Sequence, residues 1–204
     1  TGNTAGQYVA IDVITGDDIN DDVVTIVWYD GANLMYTYRY GTKDDTNASS
    51  DGVAGLWSEP ITIFTDAGLD CAISVDDTAD HGVHIAAYDR NEGSLRYAYL
   101  HSYNAAESEV QTCVVDDYNI VGNKISITTV LEDYDDDDDP VTPDITVVVP
   151  YISYYMPSAQ KPKLAFLADP SGDKAPNGVN EDTEFTGDWE VTMIPTASSV
   201  REDR

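Results

Sequence analysis

The stretch that decides the fold reads Gly68-Leu-Asp-Cys-Ala-Ile-Ser-Val-Asp76, then Val83-His-Ile-Ala-Ala-Tyr-Asp89, then Ser94-Leu-Arg-Tyr-Ala-Tyr99. It contains three short runs of β-forming residues in fixed order, each closed by Asp, Gly or Asn. Runs of this length and composition, bounded by turn residues, predict strands joined by tight connections.

The flanking segments repeat the order. Before it, Val9, Ile11 and Val13 alternate with small or polar residues, as in a half-buried strand. An acidic loop precedes Val23-Val-Thr-Ile-Val-Trp-Tyr29, a continuous apolar run suited to an inner strand. Asp30-Gly-Ala-Asn33 makes a turn, and Leu34-Met-Tyr-Thr-Tyr-Arg-Tyr40 follows. A polar loop from Gly41 to Gly55 leads to Trp57 and a fourth strand through Ile61, Ile63 and Phe64. Gly6 thus matches Gly68, Val9 matches Cys71, Ile11 matches Ile73, and Leu34 to Tyr38 match Leu95 to Tyr99. The central unit's fourth strand is predicted over Val110 to Val115.

A third unit is looser. Gly122, Ile125 and Ile127 open it, and an Asp-rich insertion (Glu132 to Asp139) precedes a second strand at Ile145 to Val149. Tyr151 to Gln160 is expected as a loop in place of the short turn. Lys163-Leu-Ala-Phe-Leu167 takes the third-strand place, and Gly187-Asp-Trp189 mirrors Gly55-Leu-Trp57 at the start of a fourth strand. The first-strand glycines are 68 − 6 = 62 and 122 − 68 = 54 residues apart. Such a period, with four strands per unit and almost no helical periodicity, is how propeller blades appear in sequence. Stacked β-sandwiches account for the number of strands but not for ordered repetition.

The pattern of apolar-x-Ile-Ala-Tyr-Asp, Gly-x-Leu-x-Tyr-Ala-Tyr and a following Trp resembles the degenerate β-propeller repeats of secreted and cell-surface microbial proteins. The resemblance implies an all-β fold of three four-stranded antiparallel blades, at residues 1–66, 67–117 and 118–204. Three blades are too few for a closed ring of four to eight. The expectation is therefore a part of a larger propeller, completed by further blades of the same chain or by other chains. Sialidases share the architecture, but their Ser-x-Asp-x-Gly-x-Thr-Trp box is absent from every unit here.

Composition narrows the function. Across 204 residues, 38 acidic residues face 10 basic ones, for a net charge of −28. That balance argues against nucleic acid or an anionic membrane as partner, since both need a cationic face. No apolar run approaches the roughly 20 residues of a membrane-spanning helix. The acids are 29 Asp and 9 Glu, which places the charge in loops rather than helices. Cys71 and Cys113 are expected on the first and last strands of one blade, too far apart to pair.

In a propeller the loops after strands one and three share a face. Asp17, Asp18, Asp21 and Asp22 fall on one such loop, Asp76, Asp77 and Asp80 on the next, and Asp133, Asp135, Asp136, Asp137, Asp138 and Asp139 on the third. Oxygen-rich loops of this kind suit calcium, which takes six to eight oxygen ligands. None of them has the spaced Asp-x-Asp-x-Asp-Gly order of a dedicated calcium loop, and a solvated acidic face is the alternative.

The opposite face is expected to carry Tyr29-Asp30 and Tyr88-Asp89, with Tyr151, Tyr154 and Tyr155 in the third unit. Aromatic rings beside carboxylates suit a glycan. The structural alternative is a turn-forming Asp and a Tyr packed between blades. Asn47-Ala-Ser49 is a glycosylation sequon.

His81, His84 and His101 form no recognisable catalytic spacing, and no nucleophile stands out. The expectation is a non-enzymatic extracellular or cell-surface module for adhesion or assembly. A carbohydrate-binding propeller is the second reading, and part of a polysaccharide-acting enzyme, its active site outside this segment, is the third.

Overall fold

The computed structural model describes residues 8–15, 22–41, 56–118, 123–134, 145–168 and 189–195. Among these described residues twelve strands form three four-stranded antiparallel sheets, each a simple meander. The first holds β1 (Val9–Ile14), β2 (Val23–Tyr29), β3 (Leu34–Tyr40) and β4 (Ile61–Phe64). The second holds β5 (Cys71–Val75), β6 (Val83–Asp89), β7 (Ser94–Leu100) and β8 (Gln111–Asp116). The third holds β9 (Asn123–Tyr134), β10 (Ile145–Met156), β11 (Lys161–Leu167) and β12 (Trp189–Met193).

Turn chemistry sets these boundaries. Asp30 Oδ1 accepts from the backbone N–H of Ala32 (2.8 Å) and Asn33 (2.7 Å), closing the β2–β3 hairpin. Asp89 Oδ1 does the same for Asn91 (2.9 Å) and Glu92 (3.2 Å) between β6 and β7. Both are Asp side chains mimicking a backbone turn.

The third unit departs from the expectation. Tyr151 to Met156 is strand rather than loop, and the turn is confined to Pro157–Gln160. Ile152, Tyr154 and Met156 alternate onto the buried face, so the two-residue period continues past Val149. Pro150 lies where β10 has only β9 as a neighbour, and its missing N–H is tolerated there. Likewise β9 runs through Tyr134, into the segment expected as an insertion.

One cross-strand row recurs in all three sheets. It is Ile11–Ile26–Thr37 in the first, Ile73–Ile85–Ala98 in the second and Ile127–Ile152–Ala165 in the third. In the second sheet the row packs against Val27, Leu34 and Tyr36 of the first. In the third it packs against Ala86, Leu95 and Tyr97 of the second. Each sheet therefore turns the same face towards its predecessor. The row also shows that Lys163–Leu167 corresponds to Arg96–Leu100, with Ala165 in the place of Ala98.

The sheets fan out from their first strands. β1 lies alongside β5 and β5 alongside β9, while β4, β8 and β12 make no comparable backbone approach to one another. Polar ties fix the narrow edge: Asp12 Oδ2 accepts from Val75 N–H at 2.8 Å, and the Ser74 and Thr129 hydroxyls meet at 3.2 Å. Larger side chains fill the widening wedge. Tyr36 donates to the Tyr103 carbonyl at 2.8 Å, and the Trp189 ring sits 4.9 Å from that of Tyr97. Burying each such side chain contributes about 1.5–3 kcal/mol.

Candidate functional site

The β5–β6 loop shows what the Asp-rich connections do where they are described. Asp76 Oδ1 accepts from Thr78 N–H (3.0 Å), the Thr78 hydroxyl (2.5 Å) and Gly82 N–H (3.1 Å). Its Oδ2 accepts from His84 Nε2 at 3.0 Å, and the Tyr97 hydroxyl lies 2.6 Å from His84 Nδ1. Burial pushes the His84 pKa down, outweighing the pull of Asp76, so the ring is neutral. Burial alone would raise Asp76, but hydrogen bonds from His84 and Thr78 hold it below the ordinary carboxylate value. A neutral ring that donates to Asp76 through Nε2 must accept the Tyr97 O–H at Nδ1. Asp76 is thus occupied by protein donors, and His84, fully buried at the place Thr25 takes in the first sheet, meets no solvent.

This Asp–His–Tyr chain was not recognised from the sequence. Ser74 pairs with His84 across β5 and β6, so an Asp just beyond the strand end, two residues past Ser74, falls within reach of the ring. That offset was the available signal.

A second buried polar cluster joins the second and third sheets. Tyr154 donates to Asp116 Oδ2 at 2.5 Å, and Lys163 Nζ pairs with the same oxygen. Burial and the hydrogen bond to Asp116 push the Tyr154 hydroxyl well up. Tyr154 therefore faces the neighbouring sheet rather than the expected ligand face, while Tyr151 stacks on Phe166 (5.7 Å between centroids) on the opposite side of the third sheet.

The residues of the expected Tyr–Asp pairs take the following places. Asp30 and Asp89 hold their turns, and Asp89 Oδ2 also lies 3.5 Å from Arg96 Nη1. Tyr29 donates to the Gly31 carbonyl at 2.8 Å and lines a cavity of about 480 Å³ with Ala32, Asp66, Leu69, Arg90 and Asn91. Tyr88 does not line it; its backbone ties the turn instead, accepting from Gly68 N–H (3.1 Å) and donating to the Asp70 carbonyl (3.0 Å). A second cavity of about 520 Å³ lies beside Asp89, Ser94, Arg96 and Asp117. Both have the volume of small-ligand sites.

Among the described acids Asp22 accepts at its backbone carbonyl from Gly41 N–H at 2.8 Å. Asp17, Asp18, Asp21, Asp135, Asp136, Asp137, Asp138, Asp139 and Asn47 lie outside the described residues. No group of three or more metal-ligating side chains occurs among the described residues. No helix among them is long and apolar enough to cross a membrane.

Cys71 and Cys113 are free and buried, and they belong to separate packing clusters on the two sides of the second sheet. Burial pushes each thiol to about 12. The chain matches no family model, no curated protein and no solved structure.

Proposed function

We propose that the three sheets are consecutive blades of a β-propeller, at residues 1–66, 67–117 and 118–204, and that the blades form a non-enzymatic module for adhesion or assembly outside the cell or at its surface. The supporting observation is the fan: first strands side by side, the same face of each sheet turned to its predecessor, and larger side chains towards the fourth strands. Propeller blades meet in this way around their axis. The buried polar groups described above are taken up by intersheet and turn contacts, which suits a scaffold. The net charge of −28 suits a surface that stays hydrated and repels polyanions.

The cavity at Tyr29, Arg90 and Asn91 favours one further reading, a carbohydrate-binding propeller. The two are separated by a glycan panel together with an oligomer measurement on the 204-residue chain. The module reading expects self-association or a protein partner and no small-glycan affinity. Glycan affinity lost in Tyr29→Ala with the fold intact would transfer the conclusion to the second reading.

A further inference from the structure

We propose that the cavity lined by Asp89, Glu92, Ser94, Arg96, Val114 and Asp117 receives a lysine from a basic segment of a partner protein, holding its ammonium and its main-chain carbonyl together. The inference rests on the module reading and names the chemistry of the partner.

Strand register places the cavity. Asp89 pairs with Ser94 across the β6–β7 hairpin, and Arg96 pairs with Val114 across β7 and β8. The two-residue period puts Ser94 and Arg96 on one face of the second sheet, the face whose Ala87 and Ala98 pack on the first sheet. Arg96 rests over the Phe64 ring of that sheet, 4.5 Å from its centroid. The cavity, of about 520 Å³, thus lies at the margin of the intersheet packing, which holds its walls in place.

Two polar atoms of these walls are buried without a partner. Ser94 is 1% exposed and its Oγ makes no hydrogen bond; Arg96 Nε is also covered and makes none. Groups left in this state cost free energy that a ligand recovers by pairing with them. Nε can only donate, so the ligand must bring an acceptor.

The carboxylates restrict it further. Asp89 is engaged by its turn and by Arg96 Nη1. Glu92 and Asp117 are in no ion pair among the described residues. In a chain of −28 they repel an anion and attract a cation, so the acceptor is a neutral oxygen. A second copy, carrying the same −28, is disfavoured as the occupant. No metal-binding group of three occurs among the described residues, and a bare cation leaves Nε unpaired. A lysine within a peptide supplies both parts. Its carbonyl accepts from Arg96 Nε, and the three donors of its ammonium meet Glu92, Asp117 and the Ser94 hydroxyl. Its aliphatic stem covers Val114, which is 52% exposed.

Amide chemical-shift titration of the 204-residue chain with a doubly capped Gly-Lys-Gly peptide tests the site. It is done at ~0.15 M salt, where the Debye length is about 8 Å. Saturable shifts are expected at Ser94, Arg96 and Asp117. Ser94→Ala should weaken binding about five- to tenfold, the worth of one hydrogen bond. Its melting temperature should not fall, because that hydroxyl holds nothing in the free protein. Glu92→Gln and Asp117→Asn should weaken binding to a similar degree. Glu107→Gln, at the far end of β8 with the same change in charge, should not. The peptide with its lysine acetylated, and butylamine with no carbonyl, should each bind about tenfold more weakly or worse.

Equal weakening by Glu107→Gln would reduce the binding to general attraction by an acidic chain and overturn the site. Undiminished binding of the acetylated peptide or of butylamine, or by Ser94→Ala, overturns it too. No shift with the tripeptide overturns the site and leaves the module reading standing. Galactose shifting the same amides overturns both, since that reading expects no small-glycan affinity.

Discussion

His84 donates to Asp76 at 3.0 Å from a ring with no solvent exposure, so the contact is a hydrogen bond from a neutral imidazole to a carboxylate rather than an ion pair. It fixes the β5–β6 loop against the centre of the second sheet. The arrangement has consequences for pH.

The folded His84 binds its proton more weakly than the unfolded residue, whose ordinary value is 6.5. Stability from this residue is therefore full above that value and is lost as pH falls below it, because the unfolded chain takes up the proton. Asp76 is depressed below 3.8, so its contribution is present above that value and is lost as pH falls through the lower folded value. Urea titrations from pH 8 to 4 should show stability declining from about pH 6.5, by at most about 1.4 kcal/mol per pH unit from this proton. His84→Gln should cost about 2–4 kcal/mol and flatten that decline. An unchanged pH slope in the variant would place the titrating group elsewhere.

Asp76→Asn should lower the melting temperature equally with calcium and with chelator at matched ionic strength. The carboxylate accepts hydrogen bonds from Thr78, Gly82 and His84, all within the protein. A loss that appears only in calcium would make the residue a ligand.

Lys163, Asp116 and Tyr154 hold the second and third sheets together. Lys163→Met leaves a buried carboxylate without its cation and should cost about 3–5 kcal/mol in chemical denaturation. Adding Asp116→Asn should recover part of that loss. Additive costs in the double variant would mean that the pair is not coupled.

Gly68 adopts φ +121°, and a Cβ there would lie 3.0 Å from Leu34 Cβ. Gly68→Ala should destabilise by about 2–4 kcal/mol, since backbone strain and a fixed neighbour add. A loss under 1 kcal/mol, measured by thermal or urea unfolding, would show that the link between the first two sheets relaxes freely.

Both thiols, raised to about 12, should resist a thiol reagent at pH 8 in the native state and react fully once the chain is unfolded. Rapid native labelling of Cys113 would mean that the contact with Trp189 opens.

Much of this architecture was legible in the residues themselves. Asp30 and Asp89 announced their turns, and the alternation around Ile11, Ile73 and Ile127 placed the first strand of each sheet. The third sheet was harder to read. Pro150 and the polar-looking Ser153-Tyr-Tyr155 read as a break, although Ile152, Tyr154 and Met156 keep a two-residue period that only the neighbouring sheet makes meaningful. The site was less legible than the fold. An Asp in an acidic loop reads as solvated or metal-binding, and only the pairing of Ser74 with His84 across the hairpin tells that Asp76 turns inward to a histidine eight residues on. Tyr29 and Tyr88 look alike in sequence, yet one lines a cavity and the other does not: β2 ends at Tyr29, whereas β6 runs one residue past Tyr88 to Asp89.

Among the described residues the second sheet packs against a neighbour on each face, and no close strand-to-strand approach joins the first sheet to the third. Cooperativity in such a chain is linear: opening can begin at either end and stop at the next interface, so amide exchange should be slowest along Ile85 and Ala86 and faster outwards in both directions. A molecule organised this way can gain or lose whole sheets at its ends without redesigning its middle, so its length can vary while its centre stays the same.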